Sequence, residues 1–271
     1  MQRKLIVFGA LVSAAILLLV GAGCTKLKAR DNLNKGVAAY KSARYADAVE
    51  YFKTSVSIEP TYINARLYLA TAYMSQYIPG AESPENVQMA KAAHDEFMRV
   101  VEQDPRNSLA IASIASLFFS EKKFDEARDW HQKLIVVDPK AKESYYTLGV
   151  IAWTRSFQKR MEARAGMGMK PEDPGPLKDK KIREELRAEI LPVIEEGIKS
   201  LEKALELDKE YDDSMAYLNL LHRERADVAD TKEAYQVDTD TADRWVQKTL
   251  ETKKIKASRA APGKAAGEGQ D

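Results

Sequence analysis

The stretch from Tyr45 to Pro60, YADAVEYFKTSVSIEP, decides the fold of this chain. Tyr45, Ala48 and Phe52 recur at the three- and four-residue spacing of one helix face, which predicts an amphipathic helix with an apolar inner side. Ala48 is small enough for a second helix to come close to that side. Proline cannot continue a helix, so the helix ends before Pro60. The stretch therefore predicts the second member of a packed helix pair.

The end of this stretch recurs further along the chain. KTSVSIEP ends at Pro60, MRVVEQDP at Pro105, QKLIVVDP at Pro139 and EKALELDK at Lys209, at spacings of 45, 34 and 70 residues. The tetratricopeptide repeat (TPR) has a period of 34 residues, and the two longer spacings exceed it by 11 and 36 residues. The chain resembles the TPR family over about residues 30–210.

The resemblance assigns packing roles to apolar positions. Gly36 is the small residue that lets the first helix of a pair (helix A) approach the second (helix B). The later packing positions are Leu69, Ala70, Tyr73, Ala93, Phe97, Val100, Ile114, Ala115, Phe118, Phe124, Ala127, Leu134, Leu148, Gly149, Ile194, Gly197, Leu201 and Ala204. One repeat cannot bury its own apolar face. The resemblance therefore implies an all-α, right-handed TPR superhelix (an α-solenoid) of about five helix pairs.

The same resemblance divides the chain into repeats. They span about residues 29–62, 63–107 with the 11-residue insertion, 108–141, 142–211 with the 36-residue insertion, and 212–256 as a degenerate cap. The stretch after residue 256, ASRAAPGKAAGEGQD, is small, polar and broken by glycine and proline. This composition predicts a disordered tail over residues 257–271.

Both insertions fall between the two helices of their repeat. In the first, Ser83 is a predicted helix N-cap and Pro84 the first helical position. The second, between Trp153 and Pro192, begins with a helical extension, RSFQKRMEARA, and continues with the breaker-rich GMGMKPEDPGPLKDK. Residues 156–180 are either a partner-binding or lid element or a mobile surface loop. Their low hydrophobicity and their proline and glycine content favour the loop.

The first 24 residues differ in character from the rest. Arg3 and Lys4 precede an apolar run from Leu5 to Val20, and three small residues precede Cys24, the only cysteine. This order is typical of an export signal. The small residues before Cys24 resemble the lipobox of bacterial lipoproteins. The resemblance implies a signal peptide over residues 1–23, acylation of Cys24, and a short tether over residues 24–30.

An uncleaved signal anchor is the alternative, since the apolar span of residues 5–23 is long enough to cross a bilayer. Cleavage would remove two positive charges and change the formal net charge from +1 to −1, so the lipid and not electrostatics would hold the protein. Acylation of Cys24 leaves no thiol for a disulfide. The lipoprotein resemblance places the body in the periplasm of the bacterial cell envelope. Thr25, in place of Asp after the cysteine, favours the outer membrane of a diderm.

Composition and motifs exclude several function classes. The near balance of 42 basic and 41 acidic residues argues against nucleic-acid binding. His94, His131 and His222 have no second ligand at metal-binding spacing, and no nucleophile elbow or phosphate-binding glycine loop is present. We therefore predict no catalytic residue, metal, cofactor or small-molecule substrate. An enzyme with its site in residues 156–192 is the remote alternative.

The helix A residues of TPR proteins line a concave groove that binds partners. The resemblance places the groove at Asn34, Lys41, Asn64, Tyr68, Thr71, Ser113, Ser116, Phe119, Tyr146, Thr147, Trp153, Tyr217 and Arg223. Leu33 and Val37 occupy the first places of the carboxylate clamp found in some TPR domains, which argues against that binding mode. Hydroxyl and aromatic groups suit an extended peptide or a partner helix. Alternatively, the aromatic side chains pack against neighbouring helices.

These inferences predict a membrane-anchored TPR adaptor that binds envelope proteins or peptides. An inner-membrane scaffold held by an uncleaved signal anchor is the alternative.

Overall fold

A computed structural model describes residues 25–260 of the chain, and within them it contains ten α-helices and no strand. Consecutive helices form five pairs, which confirms the all-α fold of about five helix pairs. The helices are α1 (residues 25–41), α2 (Tyr45–Ile58), α3 (Ile63–Met74), α4 (Pro84–Gln103), α5 (Ser108–Ser120), α6 (Phe124–Val137), α7 (Lys142–Gly166), α8 (Lys180–Leu207), α9 (Asp212–Asp227) and α10 (Lys232–Ala260). They form two compact units, which meet in sequence at Lys133 and Leu134.

The first pair of unit 1 is packed around one aromatic ring. Phe52 of α2 is fully buried, and its ring lies over Gly36 of α1, where any side chain would collide with it. Ala48 is also fully buried. The Ser55 hydroxyl donates a hydrogen bond of 2.7 Å to the carbonyl of Ala29. The predicted roles of Gly36, Ala48 and Phe52 are therefore confirmed.

A second core cluster of unit 1 joins α3, α4 and α5. Phe97 and Val100 of α4 and Ile114 of α5 have no solvent exposure, and Leu117 has almost none. The first insertion is attached to this cluster by Asn86, whose side chain accepts from the backbone N–H of Ile78 and donates to its carbonyl. These two hydrogen bonds hold the turn between Ile78 and Asn86, which lies in the insertion of this repeat.

Unit 2 has a core built on close helix contacts. Gly149 of α7 lies against Leu201 of α8, and Gly197 of α8 lies against Ala152 and Leu221. Each glycine removes a side chain where two helices approach, so the flanking leucines can fill the space between them. Pro192 lies inside α8 and not in its first turn.

Two boundary predictions are wrong in part. Residues 25–30 belong to α1, and Ala29 is fully buried, so they are part of the folded body and not a tether. Residues 257–260 complete α10, where Arg259 forms an ion pair with Glu210. Cys24, the predicted signal peptide and residues 261–271 lie outside the described residues. No helix within residues 25–260 has the length and apolar character needed to span a membrane.

Candidate protein-binding surface

The helix A positions of unit 1 divide into exposed and half-buried groups. Three helices, α1, α3 and α5, carry them. The exposed residues are Asn34, Lys41, Asn64, Tyr68 and Ser116, and the half-buried ones are Thr71, Ser113 and Phe119. Exposed amide, hydroxyl and ammonium groups can donate hydrogen bonds to the backbone of a partner.

Tyr68 combines packing with exposure. Its ring stacks on Phe52 with centroids 5.5 Å apart and an angle of 23°, yet the residue is 41% exposed. The ring therefore covers the core of the first repeat while part of it faces solvent. The packing alternative therefore holds for Tyr68, while the exposed part of its ring remains available for contact.

Sequence reasoning did not select Tyr40 for this surface. The Tyr40 hydroxyl of α1 lies 2.8 Å from the hydroxyl of Ser75 at the end of α3, so the helix A members of two successive repeats are joined there. The Tyr40 ring also contacts Tyr45 edge to face at 5.2 Å. A polar link between neighbouring helices cannot be inferred from the spacing of apolar residues.

Unit 2 brings three predicted aromatic residues into one continuous row. Tyr146 contacts Tyr217 edge to face at 5.6 Å, and Tyr217 contacts Trp153 at 5.6 Å. Tyr211 extends the row at one end, 5.3 Å from Tyr146, and Phe157 extends it at the other, 5.1 Å from Trp153. We call these five residues the aromatic row. Phe157 was missed because it lies in the predicted insertion, although it is one helical turn after Trp153.

A cation lies over each end of the aromatic row. The Lys142 ammonium is 5.1 Å from the centre of the Tyr211 ring, and the Arg160 guanidinium is 5.4 Å from the centre of the Phe157 ring. Acidic residues hold both cations, since Lys142 pairs with Asp208 at 2.6 Å and Arg160 pairs with Glu224 at 2.6 Å. The row is therefore a half-buried aromatic strip with polar ends.

Burial also favours the neutral form of the phenols in the row. It raises the pKa of Tyr146, and it raises the pKa of Tyr211 to about 12. Both phenols stay neutral at physiological pH, so each can donate one hydrogen bond and accept others. Rings that are half-buried and hold a polar group are common at binding surfaces.

The other two predicted residues of unit 2 already have partners. The Thr147 hydroxyl donates to the carbonyl of Glu143 at 2.8 Å. Arg223 is exposed and pairs with Asp243 at 2.6 Å. The Thr147 hydroxyl can therefore still accept a hydrogen bond from a partner, whereas Arg223 lies at the surface with a carboxylate beside it.

The expectation that residues 156–180 form a mobile surface loop is wrong, because this segment is packed and hydrogen-bonded. Leu177 is fully buried, and its N–H donates to the carbonyl of Asp227 at 2.9 Å. The Arg164 guanidinium donates to both carboxylate oxygens of Asp227, at 2.7 and 2.9 Å. It also donates to the carbonyls of Lys170 and Asp173. The buried Arg164 and the backbone N–H of Leu177 thus both attach the insertion to α9.

Arg160 completes a buried ion cluster with this pair. It donates to Glu224 at 2.6 Å and to Asp227 at 2.8 Å. Burial raises the pKa of Glu224 to about 7, against the opposing attraction of Arg160. The sequence analysis did not identify this cluster. The available indication was the spacing of Arg160 to Arg164 and of Glu224 to Asp227, which puts each pair on one helix face.

The insertion also forms one wall of a cleft in unit 2, with a volume of about 430 Å³. Its lining includes Arg160 from α7, Asp173 from the insertion, Arg223 from α9, and Tyr235 and Thr239 from α10. Within residues 25–260 no group of three or more His, Cys, Asp or Glu side chains could hold a metal ion. The charges at this cleft are largely paired with one another.

Solved structures of other proteins share this architecture. Residues 32–62 match the family model of the tetratricopeptide repeat. A crystal structure of the MamA protein is 15% identical, covers 87% of this chain and 97% of its own, and has a TM-score of 0.59. MamA from Desulfovibrio magneticus RS-1 is 16% identical, covers 84% and 96%, and has a TM-score of 0.56.

A further solved structure is that of YrrB, described as a TPR protein with an unusual peptide-binding site. It is 12% identical, covers 82% of this chain and 90% of its own, and has a TM-score of 0.50. No curated protein sequence matches the chain. Residues 32–62 are thus a tetratricopeptide repeat by sequence, and the helix pairs of the chain have the fold of solved TPR proteins. The predicted resemblance to the TPR family is confirmed.

Proposed function

We propose that this protein is a membrane-tethered adaptor that holds envelope proteins or peptides on the helix A faces of its repeats. The aromatic row of unit 2 carries the proposal. Five rings in mutual contact, each partly open to solvent, offer apolar area without the loss of side-chain freedom that flexible residues would suffer on binding. Such half-buried aromatic residues are enriched among the side chains that dominate binding energies.

The ligand class that fits this row is an extended peptide or a helix with apolar and aromatic side chains. Stacking on the rings would supply most of the affinity, and the phenol hydroxyls would select polar groups of the partner. The peptide-binding site of YrrB supports a peptide or protein ligand for a fold of this kind. The remote alternative, an enzyme with its site in the insertion, is less well supported, since the charged groups of that segment hold it in place.

The proposed tether is an acyl chain on Cys24. Its support is the sequence: a basic start, an apolar run and small residues directly before the only cysteine. An inner-membrane scaffold held by the uncleaved segment is the second candidate. Metabolic labelling with a palmitate analogue separates the two, with Cys24→Ser as the control. Label that is present in the native chain and absent from the variant supports the acyl tether, and an unlabelled native chain contradicts it.

Site-specific photo-crosslinking tests the binding surface. A photoreactive phenylalanine analogue at Phe157 or Tyr217 is expected to form adducts with a small set of envelope proteins in intact cells. The matched control is Tyr51 of α2, a helix B tyrosine that is 38% exposed. Adducts specific to the two row positions support the proposal.

A second experiment measures the affinity of the protein for a partner identified by crosslinking. Tyr217→Ala with Trp153→Ala is expected to weaken binding by at least tenfold, because hot-spot rings contribute about 2 kcal/mol or more each. Tyr51→Ala should leave the affinity unchanged. Identical adducts from Phe157 and Tyr51, or equal affinities of the two variants, would show that the partner binds elsewhere.

A further inference from the structure

Three cations lie together at the start of the described chain. Lys26, Lys28 and Arg30 are all exposed, and none of them forms an ion pair with any residue of the described range. Asp31, the nearest acidic residue in sequence, is instead paired with Lys35 at 2.7 Å. Residues 26–30 therefore carry three uncompensated positive charges.

The helical state of this segment sets where the charges lie. Residues 25–30 belong to α1, and six helical residues rise by only about 9 Å. Side chains of a helix also tilt toward its N-terminal end. All three cations can therefore lie close to the level of Cys24, the proposed point of attachment to the membrane. An extended tether of the same length would have separated the charges from that level by up to about 20 Å.

An exposed apolar side chain lies among these cations. Leu27 is 71% exposed, whereas the neighbouring Ala29 is fully buried in the body. A solvent-exposed leucine between two lysines has the composition of an interfacial membrane contact. We call Lys26, Leu27, Lys28 and Arg30 the basal patch.

We propose that the basal patch docks onto the anionic headgroups of the membrane in which the chain is tethered. The observations that carry this inference are the three cations without an ion pair, the exposed leucine and their place directly after Cys24, the proposed point of attachment. The inference rests on the proposed membrane tether. It adds that the body contacts the lipid surface through a defined side and does not swing freely on its anchor.

The charges favour a local contact of the basal patch with the membrane over an attraction of the whole protein to it. The chain as a whole is nearly neutral, with 42 basic and 41 acidic residues, so its net charge does not draw it to an anionic surface. Screening limits the attraction to about 8 Å at physiological salt, which only groups close to the membrane can use. The basal patch meets this condition by its position in the chain.

The test uses the full-length protein reconstituted in lipid vesicles, with Leu27→Trp as the reporter. Quenching of this tryptophan by brominated lipids measures contact with the bilayer, after subtraction of the native protein's signal. We expect strong quenching in phosphatidylglycerol vesicles and weak quenching in phosphatidylcholine vesicles. About 0.5 M salt should abolish the difference, since the Debye length then falls to a few ångströms.

The charge dependence is tested with two matched triple variants. Lys26→Gln, Lys28→Gln and Arg30→Gln together should shift the docking equilibrium toward the undocked state by about two orders of magnitude, because each cation near an anionic surface contributes roughly a factor of five. The control changes Lys199, Lys209 and Lys232 to Gln, three exposed lysines without an ion pair in the described range. In this control variant the fluorescence of the tryptophan at position 27 should be quenched to the same extent as in the protein that carries Leu27→Trp alone.

The outcomes separate this inference from the proposed tether. Equal quenching in both vesicle types, or an equal loss in both triple variants, overturns the docking of the basal patch and leaves the palmitate result unaffected. If Cys24 is not acylated but quenching is specific to anionic vesicles and to the basal patch, the acyl tether fails and the docking inference stands on the apolar segment as anchor.

Discussion

Glycines at helix contacts show how much single residues matter in this fold. Gly149 faces Leu201 so closely that a β-carbon would overlap the leucine side chain. Gly166, at the end of the same helix, has no neighbouring atom within 4 Å of the place a β-carbon would take. The two glycines therefore differ in packing while sharing one helix.

Gly149→Ala is expected to destabilise the protein by about 1–3 kcal/mol, because it overpacks the contact between α7 and α8. Gly166→Ala should be neutral or slightly stabilising, since alanine suits a helix better than glycine and nothing opposes the added methyl group. Chemical denaturation of both variants with the native protein measures the difference. Equal effects of the two substitutions would contradict the packing role of Gly149.

The burial of His131 makes stability depend on pH. Burial lowers the pKa of His131 from about 6.5 to about 4, so the folded protein keeps this imidazole neutral. Below pH 6.5 the His131 imidazole is protonated in the unfolded chain, whereas in the folded chain it stays neutral down to about pH 4. The contribution of the neutral His131 to the free energy of unfolding is therefore fully present above pH 6.5. As the pH falls toward 4, the free energy of unfolding decreases by about 3 kcal/mol because of this group.

His131→Leu should flatten the pH dependence of the unfolding free energy between pH 6.5 and 4. The control is Val136→Leu, a change at an exposed position of the same helix that carries no titratable group, and it should leave that slope as it is. Denaturant titrations at five or six pH values give the slopes. A variant at His131 that keeps the native slope would assign the dependence to other groups.

At the scale of elements, the second insertion is the feature that sequence reasoning described least well. Its helical extension was expected, but its low hydrophobicity indicated a mobile loop. Tertiary contacts overrule that composition, since Leu177 is buried and Arg164 satisfies four acceptors at once. Arg164 and Asp227 are 63 residues apart, and no local pattern relates two charges at that distance.

Arg164→Gln is expected to release the insertion and to cost about 3–5 kcal/mol, because Asp227 would remain buried with part of its partner missing. Limited trypsin digestion should then cut faster after Lys178. Lys159→Gln is the matched control, since it removes an exposed partner of Glu189 from the same helix. It should leave the digestion rate unchanged, because exposed ion pairs contribute little. Native-like protection of the insertion in Arg164→Gln would mean that its other contacts, including the Leu177 hydrogen bond to Asp227, hold it without Arg164.

At the scale of the molecule, the two compact units have separate cores. Phe52 fills a core cluster in which every buried residue belongs to unit 1, and Leu201 has the same place in unit 2. Phe52→Ala should cost about 3–5 kcal/mol. Hydrogen exchange is expected to accelerate in α1, α2 and α3, with smaller changes in α7, α8 and α9. Leu201→Ala should give the reverse pattern. Equal loss of protection in both units from either substitution would mean that they unfold together.

The periodic sequence alone determined the helix pairs of this protein. Apolar residues at helical spacing, small residues at close contacts and prolines after helix ends are local features, so the pattern predicted five pairs with most packing residues correct. The family and its helix A faces followed from the same pattern.

Only the tertiary structure decided which distant groups meet. It joined three predicted aromatic residues with Tyr211 and Phe157 into one row, buried the Arg164–Asp227 pair, and made residues 25–30 part of the first helix. Each of these depends on packing between segments far apart in the chain, where burial changes the energy of a charge or a ring. Spacing along the sequence carries no such information.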